Sequence, residues 1–219
     1  MSVPIKICGL KTPETIASVT VGGADYVGFI FFEKSPRYVS PEQAGSLRPQ
    51  ASNIKVVAVT VDADDQLLDD INHHLRPDIM QLHGKEAPDR VRAVKARYGV
   101  VVMKALAIKE ADDVARARDY RDAADLLLLD AKPPKGSELP GGNGVSFDWA
   151  LVEDANPGLP FLLSGGIDIE NVAQAANLVG KTTNSAIGLD ISSGVERAPG
   201  EKDSKMIAEL LNRLAETQA

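Results

Sequence analysis

Near its start the chain contains Val3-Pro4-Ile5-Lys6-Ile7-Cys8-Gly9-Leu10-Lys11, in which an apolar run of strand length stops at a glycine. Seven more apolar runs follow, and successive runs start 22 to 36 residues apart. That spacing fits one strand, one helix and two short loops. The pattern therefore predicts eight strands, each followed by a helix. The eight runs span residues 3–8, 25–31, 54–61, 77–82, 100–106, 124–130, 160–164 and 184–189.

The stretches between the runs are amphipathic, as helices covering a sheet should be. Three of them begin with a capping residue followed by proline or by an acidic first turn, which predicts a helix start. These signals are Thr12-Pro13-Glu14, Ser40-Pro41-Glu42 and Asp168-Ile169-Glu170.

The loop after the first run distinguishes two α/β folds. An open doubly wound sheet usually carries Gly-x-Gly-x-x-Gly after its first strand, whereas this loop reads Cys8-Gly9-Leu10-Lys11. A closed (β/α)8 TIM barrel is the better interpretation. Because no low-complexity segment or domain boundary interrupts the repeat, we expect residues 1–219 to form a single barrel domain.

Composition narrows the function classes. The 219 residues are 44% hydrophobic but 5% aromatic, which suits parallel strands covered by helices. A formal charge of −7 argues against a nucleic-acid partner, since such binding needs a basic surface.

No signal peptide and no apolar run of about eighteen residues is found, so we expect a soluble, cytoplasmic protein without a membrane partner. One cysteine excludes an internal disulfide, and the three histidines show no metal-ligand spacing, so we expect no metal.

Two spacings between runs are longer than the rest, after the second and the sixth strand. Extra residues in barrel enzymes tend to lie in the loops of the active face, so we expect these loops to cover the site. The first contains residues 31–38. The second contains Lys132-Pro133-Pro134-Lys135-Gly136 and then Gly141-Gly142-Asn143-Gly144.

A thiol and a carboxyl group are the candidate acid and base. Strand alternation places Lys6 and Cys8 on the inner face of the barrel, with Ile5 and Ile7 facing the helices. Asp130 ends the sixth strand, the position from which a side chain reaches the barrel mouth. We expect Lys6 to supply an electropositive surrounding in which Cys8 yields thiolate near neutral pH. The alternatives are a thiol buried as a small hydrophobe and a carboxylate that caps a turn.

A phosphate site is predicted after the last two strands. Ser164-Gly165-Gly166-Ile167-Asp168 follows the seventh strand, and residues 188–196 follow the eighth. Glycine loops at these two strands, with the N-terminus of a short helix aimed inward, form the common phosphate site of such barrels. The alternative is a pair of glycine-rich turns without a ligand.

Two further side chains face the expected pocket. Arg37, in the loop after the second strand, suits a carboxylate ligand, because a guanidinium can donate two parallel hydrogen bonds to it. His83 ends the fourth strand and shares its inward parity with Gln81. A hydrogen bond near the pocket and a purely structural role both fit His83.

Seven motifs occur in order from the first strand to the last. Together they resemble the phosphoribosylanthranilate isomerase family. The motifs are Lys6-Ile7-Cys8-Gly9, Ser35-Pro36-Arg37-Tyr38-Val39, Gln81-Leu82-His83-Gly84, Leu129-Asp130, Gly141-Gly142-Asn143-Gly144, Leu163-Ser164-Gly165-Gly166-Ile167 and residues 190–196.

The resemblance implies an Amadori rearrangement in tryptophan biosynthesis. N-(5-phosphoribosyl)anthranilate, a small phosphorylated substrate, becomes 1-(2-carboxyphenylamino)-1-deoxyribulose 5-phosphate, without a metal or other cofactor. Asp130 is then the general acid that protonates the ring oxygen, and Cys8 the general base that removes the C2 proton. Arg37 holds the anthranilate carboxylate. The phosphate contacts fall to Gly166, Ser192 and Ser193, and His83, Gly144 and Asp190 complete the substrate-binding set.

Two positions depart from the family pattern. Asn143 stands where the family more often has threonine, and Lys85 follows Gln-Leu-His-Gly in place of an acidic or amide residue. Three other functions stay open: the related histidine-pathway isomerase, which uses two aspartates; a metal-dependent pentose-phosphate epimerase; and a non-catalytic barrel that binds a phosphorylated ligand. The sequence also leaves open whether the protein is a monomer or a homodimer.

Overall fold

The computed structural model describes residues 3–48, 54–132, 141–142, 144, 146, 148–153, 157–181 and 186–218. Eight parallel strands pair in chain order, and the last pairs with the first, so the sheet closes into a barrel. The predicted TIM-barrel fold is confirmed. The strands are β1 (Ile5–Cys8), β2 (Tyr26–Ile30), β3 (Lys55–Thr60), β4 (Ile79–Leu82), β5 (Val101–Ile108), β6 (Leu126–Ala131), β7 (Phe161–Leu163) and β8 (Ala186–Ile191).

Observed strand ends lie within two residues of the predicted ones wherever the structure describes them. The predicted start of the eighth strand, Asn184, lies outside the described residues. A helix follows every strand, and the one after β5 continues as a 3₁₀ helix over Arg116–Tyr120. The helices are α1 (Pro13–Val21), α2 (Pro41–Leu47), α3 (Asp65–His74), α4 (Pro88–Tyr98), α5 (Ala111–Ala115), α6 (Ala150–Glu153), α7 (Val172–Lys181) and α8 (Ser204–Gln218).

Two of the three helix-start signals cap the helices that they predict. The Thr12 side chain accepts from the backbone of α1, and Ser40 forms a capping box with Gln43 at the start of α2. The third signal is displaced, because α7 begins at Val172 rather than directly after Asp168. The Asp168 carboxylate instead accepts from the backbone N–H groups of a turn at residues 170 and 171. The Asp168 side chain is therefore bound by this turn and does not cap α7.

Strand alternation separates the barrel interior from the layer under the helices. Ile5 and Ile7 pack in the cluster that includes the helix residues, whereas Cys8 packs with Val57 and Leu128 inside the barrel. The predicted orientation of β1 is confirmed. It fixes which side chains of the strand ends can reach the barrel mouth.

A two-stranded hairpin follows β8, between the barrel and α8. It consists of β9 (Glu196–Ala198) and β10 (Glu201–Lys202), which pair antiparallel. The expected short helix at the phosphate site is wrong: residues 192–195 form a turn that leads directly into β9. Pro199-Gly200 marks the hairpin turn, and Gly200 adopts a φ of 83°, which favours glycine.

None of the helices in the described part of the chain combines the length and apolar character needed to cross a membrane.

Candidate active site

A pocket opens at the carboxyl ends of the barrel strands. All nine residues that the sequence assigns to the site line this pocket: Cys8, Arg37, His83, Asp130, Gly144, Gly166, Asp190, Ser192 and Ser193. They come from β1, β6, β8 and five of the loops that follow strands. The structure therefore brings the predicted residues together, while their individual roles stay predictions.

Cys8 ends β1 with its side chain buried against β2. The facing residue on β2 is Gly28, where a Cβ would lie 3.0 Å from the sulfur. Glycine at this position makes room for the thiol. The backbone carbonyl of Cys8 accepts a hydrogen bond of 3.3 Å from the Ser192 hydroxyl, which links β1 to the loop after β8.

The charge next to Cys8 is compensated. Lys6 is fully buried, and its Nζ lies 2.7 Å from Oδ1 of Asp190. Although burial lowers the pKa of Lys6, the Asp190 carboxylate and the Cys8 sulfur together outweigh burial and raise that pKa above its ordinary value. The ammonium group is thus held as a cation beside Cys8, with Asp190 as its counter-ion.

The expected thiolate near neutral pH is wrong for this structure. Burial raises the pKa of the Cys8 thiol; Lys6 opposes this, while Asp190 adds to it. The net pKa lies above the ordinary thiol value. As a consequence Cys8 is protonated over most of the neutral range, and its thiolate, once formed, is a stronger base than an exposed one.

Asp130 ends the apolar run of β6 and is 6% exposed. Its Oδ1 accepts a hydrogen bond of 2.9 Å from the backbone N–H of the next residue, and its Oδ2 lies 3.4 Å from Nε2 of His83. Nδ1 of His83 lies 2.9 Å from the side-chain amide of Gln81. Gln81 thus holds the His83 ring so that its Nε2 faces Asp130.

A buried ion pair fixes the loop that carries His83. Nζ of Lys104 donates to the carbonyl of Gly84 at 2.8 Å and to Oε2 of Glu86 at 3.0 Å. The other carboxylate oxygen of Glu86, Oε1, accepts a hydrogen bond of 2.9 Å from the backbone N–H of Asp62, on the neighbouring loop. Burial lowers the pKa of Lys104, and Glu86 offsets only part of that effect.

Arg37 is 3% exposed and already has a carboxylate partner within the chain. Its Nε and Nη2 donate to the two oxygens of Glu196, each at 2.8 Å, and Nη2 also reaches the carbonyl of Gly142 at 3.1 Å. Nη1 of Arg37 lies beside the backbone of Gly142, because a Cβ added to Gly142 would be 2.7 Å from Nη1. Glu196 thus occupies the Nε–Nη2 edge of the guanidinium, whereas Nη1 lies beside Gly142, which lines the pocket together with Arg37.

The sequence motifs contained Glu196 but gave it no role, and Lys202 was not singled out. Burial raises the pKa of Glu196, yet hydrogen bonds from Arg37 and the charge of Lys202 outweigh burial and leave that pKa below its ordinary value. Glu196 is thus ionised at neutral pH. The signal that could have found it is the need of a buried arginine for a counter-ion.

The loops after β7 and β8 are joined to each other. Gly165 and Gly166 adopt φ values of 94° and 67°, which turn the first loop sharply at the pocket. Asp168 forms a β-bridge with Gly194 of the second loop. The two glycine-rich segments thus make one wall, as expected for a phosphate site.

The two long loops differ in how much of them is described. Residues 31–38 are complete, and Ser35 holds the backbone of Arg37 through its hydroxyl at 3.2 Å. In the loop after β6, Gly141 approaches the acid closely, because a Cβ there would lie 2.6 Å from Oδ2 of Asp130. Residues 133–136 and Asn143, which belong to the predicted cover over the site, lie outside the described residues.

Gly194→Ala is expected to loosen the phosphate wall. A Cβ at Gly194 would overlap the carbonyl oxygen of Ile167, so the backbone has to shift, at a cost of about 1–3 kcal/mol. Urea denaturation measures the loss, and an increased KM accompanies it. Gly180→Ala in α7 is the matched control, since a Cβ there meets nothing within 4 Å. Equal urea midpoints for Gly194→Ala and the unsubstituted protein would contradict this description.

Comparison with known proteins decides the family. The model for N-(5'-phosphoribosyl)anthranilate (PRA) isomerase matches residues 5–213. The chain belongs to this family. The expected resemblance, and with it an isomerase of tryptophan biosynthesis, is confirmed.

Individual relatives agree over the whole chain. N-(5'-phosphoribosyl)anthranilate isomerase of Brucella canis is 53% identical over 220 residues, which cover 100% of this chain and 97% of the relative. The crystal structure of the Thermotoga maritima isomerase gives a TM-score of 0.84 at 33% identity and covers 98% of this chain and 99% of its own. A further isomerase structure is a complex with reduced 1-(o-carboxyphenylamino)-1-deoxyribulose 5-phosphate. It gives a TM-score of 0.79 at 30% identity and covers 98% of this chain and 99% of its own.

In the part of the chain that the structure describes, no group of three or more His, Cys, Asp or Glu side chains could hold a metal ion.

Proposed function

We propose that this member of the isomerase family rearranges N-(5'-phosphoribosyl)anthranilate with Asp130 as general acid and Cys8 as general base. The observation that carries the proposal is the pocket itself. It places a carboxyl group and a thiol at two strand ends of the same barrel mouth, with an arginine and two joined glycine loops on its rim. The ligand of one solved relative, a carboxyphenylamino sugar phosphate, carries a carboxylate and a phosphate for which the rim offers partners.

Asp130 starts the reaction in this proposal. Its proton passes to the ribose ring oxygen as the C1–O bond breaks, and the nitrogen lone pair forms the iminium. His83 lies 3.4 Å from Oδ2, so it remains next to the carboxylate that the transfer leaves behind. The imidazole can take up a proton at Nε2 and so stabilise the new charge in a site that is largely shielded from water.

Cys8 completes the reaction. The thiolate takes the proton from C2, and the electrons of that C–H bond form the C1=C2 double bond of an enolamine, which tautomerises to the ketone. Cys8 acts on a proton only, and no bond forms between sulfur and sugar. The raised pKa of the thiol means that the thiolate fraction is small at neutral pH and increases as the pH rises.

The two anionic ends of the substrate have separate partners. Nη1 of Arg37, the guanidinium nitrogen that Glu196 does not use, suits the anthranilate carboxylate. The backbone of Gly166 and Gly144 and the hydroxyl groups of Ser192 and Ser193 suit the phosphate, because backbone N–H groups let an acidic protein hold an anion. Asp190 acts indirectly in this proposal, by holding Lys6 next to Cys8. A cytoplasmic location, a single domain and a monomeric or dimeric state stay predictions from the sequence.

A fluorescence assay that follows the loss of phosphoribosylanthranilate tests the activity. We expect turnover by the purified chain without added metal or cofactor. Absence of turnover in a folded preparation would contradict the proposal.

Arg37→Ala is expected to lower kcat/KM by about 10- to 100-fold, because a charge-assisted hydrogen bond contributes about 1.5–3 kcal/mol. Competitive inhibition by free anthranilate weakens in parallel, since the variant lacks the partner of the carboxylate. The same assay measures both. Lys34→Ala is the matched control, being an exposed cation in the same loop. An unchanged inhibition constant for anthranilate would assign Arg37 a purely structural role.

A further inference from the structure

The hairpin after β8 lies between the phosphate wall and the loop that carries Arg37. Its turn packs against that loop, because a Cβ at Gly200 would overlap the carbonyl of Pro36. Its base is fixed to the turn after β8 by a hydrogen bond of 2.9 Å from the Asp203 backbone to the carbonyl of Val195. The hairpin thus contacts both regions that receive the anionic ends of the substrate.

One side chain of the hairpin connects the two regions. The Lys202 side chain is 3% exposed, and its Nζ donates to Oε1 of Glu196 at 2.6 Å. It also donates to the carbonyl of Ser192 at 3.0 Å and lies 3.4 Å from the Ser192 hydroxyl. An ammonium group has three hydrogens, and these contacts account for all of them.

Glu196 passes the connection on to Arg37. Its Oε1 accepts from both Lys202 and Nε of Arg37, and its Oε2 accepts from Nη2. The guanidinium is therefore held in one plane by a carboxylate whose own position depends on Lys202. A bidentate pair is geometrically strict, so a rotated carboxylate would turn Nη1 away from the pocket.

The charges of this cluster also matter. Two cations share one carboxylate, and all three side chains are 3% exposed, which leaves a net positive charge beside the pocket. A buried net charge of this sign favours an anionic ligand. Loss of Lys202 removes that charge without leaving an unpaired ion, because Arg37 and Glu196 still pair with each other.

We propose that Lys202 is a positioning residue that couples the phosphate wall to Arg37, through Ser192 on one side and Glu196 on the other. It touches neither end of the substrate. This inference rests on the proposed function, in which Arg37 and Ser192 receive the two anionic ends. The two anionic ends of the substrate are then bound cooperatively, and Lys202, which lies outside the pocket lining, links their binding sites.

A double-substitution cycle tests the coupling. Lys202→Met alone is expected to lower kcat/KM by about 10- to 100-fold, mostly through KM, since it acts on binding groups rather than on reacting bonds. In the Arg37→Ala background the same substitution has a smaller effect, about threefold or less, because residues of one network are not additive. Inhibition by inorganic phosphate weakens in Lys202→Met, which a purely structural role at the Arg37 side would not cause.

Lys205→Met provides the matched control, because Lys205 is exposed and lies just beyond the hairpin. Thermal unfolding is measured for every variant. If Lys202→Met does not fold, Glu196→Gln interrupts the same link from its other side and the cycle is repeated with it. Equal losses of kcat/KM in both backgrounds, or unchanged inhibition by phosphate, would overturn the coupling. Full activity of Arg37→Ala alone would instead overturn the role of Arg37 in the proposed function.

Discussion

Asp130→Asn is expected to lower kcat by roughly 10²- to 10⁴-fold, the usual contribution of a positioned general acid. The amide is nearly isosteric with the carboxyl group and keeps an acceptor for the backbone N–H that Oδ1 now receives. It has no acidic proton to give to the ring oxygen, so the barrier to ring opening rises while binding stays nearly constant. Steady-state kinetics at neutral pH measure the separation of kcat from KM.

Two controls make the Asp130 result specific. Asp122→Asn applies the same change to an exposed carboxylate outside the pocket and is expected to leave kcat unaltered. Urea denaturation of Asp130→Asn should match that of the unsubstituted protein to within about 1 kcal/mol, because the substitution preserves shape. A folded Asp130→Asn variant with normal kcat would remove Asp130 from the role of acid.

Cys8→Ser is expected to have an effect of similar size, a loss of roughly 10²- to 10⁴-fold in kcat. The hydroxyl fits the space next to Gly28, but it does not ionise in the accessible pH range and cannot act as the base. No other cysteine can replace the missing thiol, since the chain has one. The same fluorescence assay measures the loss.

A retained kcat in Cys8→Ser would mean that another group removes the C2 proton. Cys8→Ala separates a hydrogen-bonding role from base catalysis, because alanine lacks both functions while serine keeps one. We expect the two variants to be equally slow.

The sequence predicted the fold because its signal is repeated. Eight apolar runs with regular spacing are hard to explain by any architecture other than a βα repeat, and the absence of a nucleotide-binding glycine loop favoured the closed barrel. Alternation along β1 predicts Cys8 and Lys6 inside the barrel. The ends of parallel strands meet at one face, so residues such as Cys8 and Asp130 converge although they are far apart in the chain.

Contacts between distant loops could not be predicted in this way. Arg37 and Glu196 are separated by 159 residues, and neither periodicity nor local spacing indicates that they pair. The pKa of Cys8 was predicted in the wrong direction for a related reason. Lys6 is two residues away in sequence, but the largest cause of the raised pKa is burial of the thiol by the whole barrel, and Asp190, which adds to it, comes from the other end of the chain. Electrostatics depends on the full set of neighbours, whereas a sequence pattern shows only the local ones.

The pH dependence of kcat/KM, compared with direct titration of the thiol, tests the central claim most directly. Ultraviolet absorbance of thiolate reports Cys8 alone, because the chain has a single cysteine and Cys8→Ser supplies the blank. Burial raises the pKa of Cys8, so the base form is scarce at neutral pH and increases as the pH rises. We predict that kcat/KM of Asp130→Asn, in which no carboxyl group at this position titrates, rises with pH along the same curve as the thiolate signal of that variant, with a midpoint above the ordinary thiol pKa of about 8.5. A kcat/KM of Asp130→Asn that stays constant with pH while the thiol ionises would contradict Cys8 as the base.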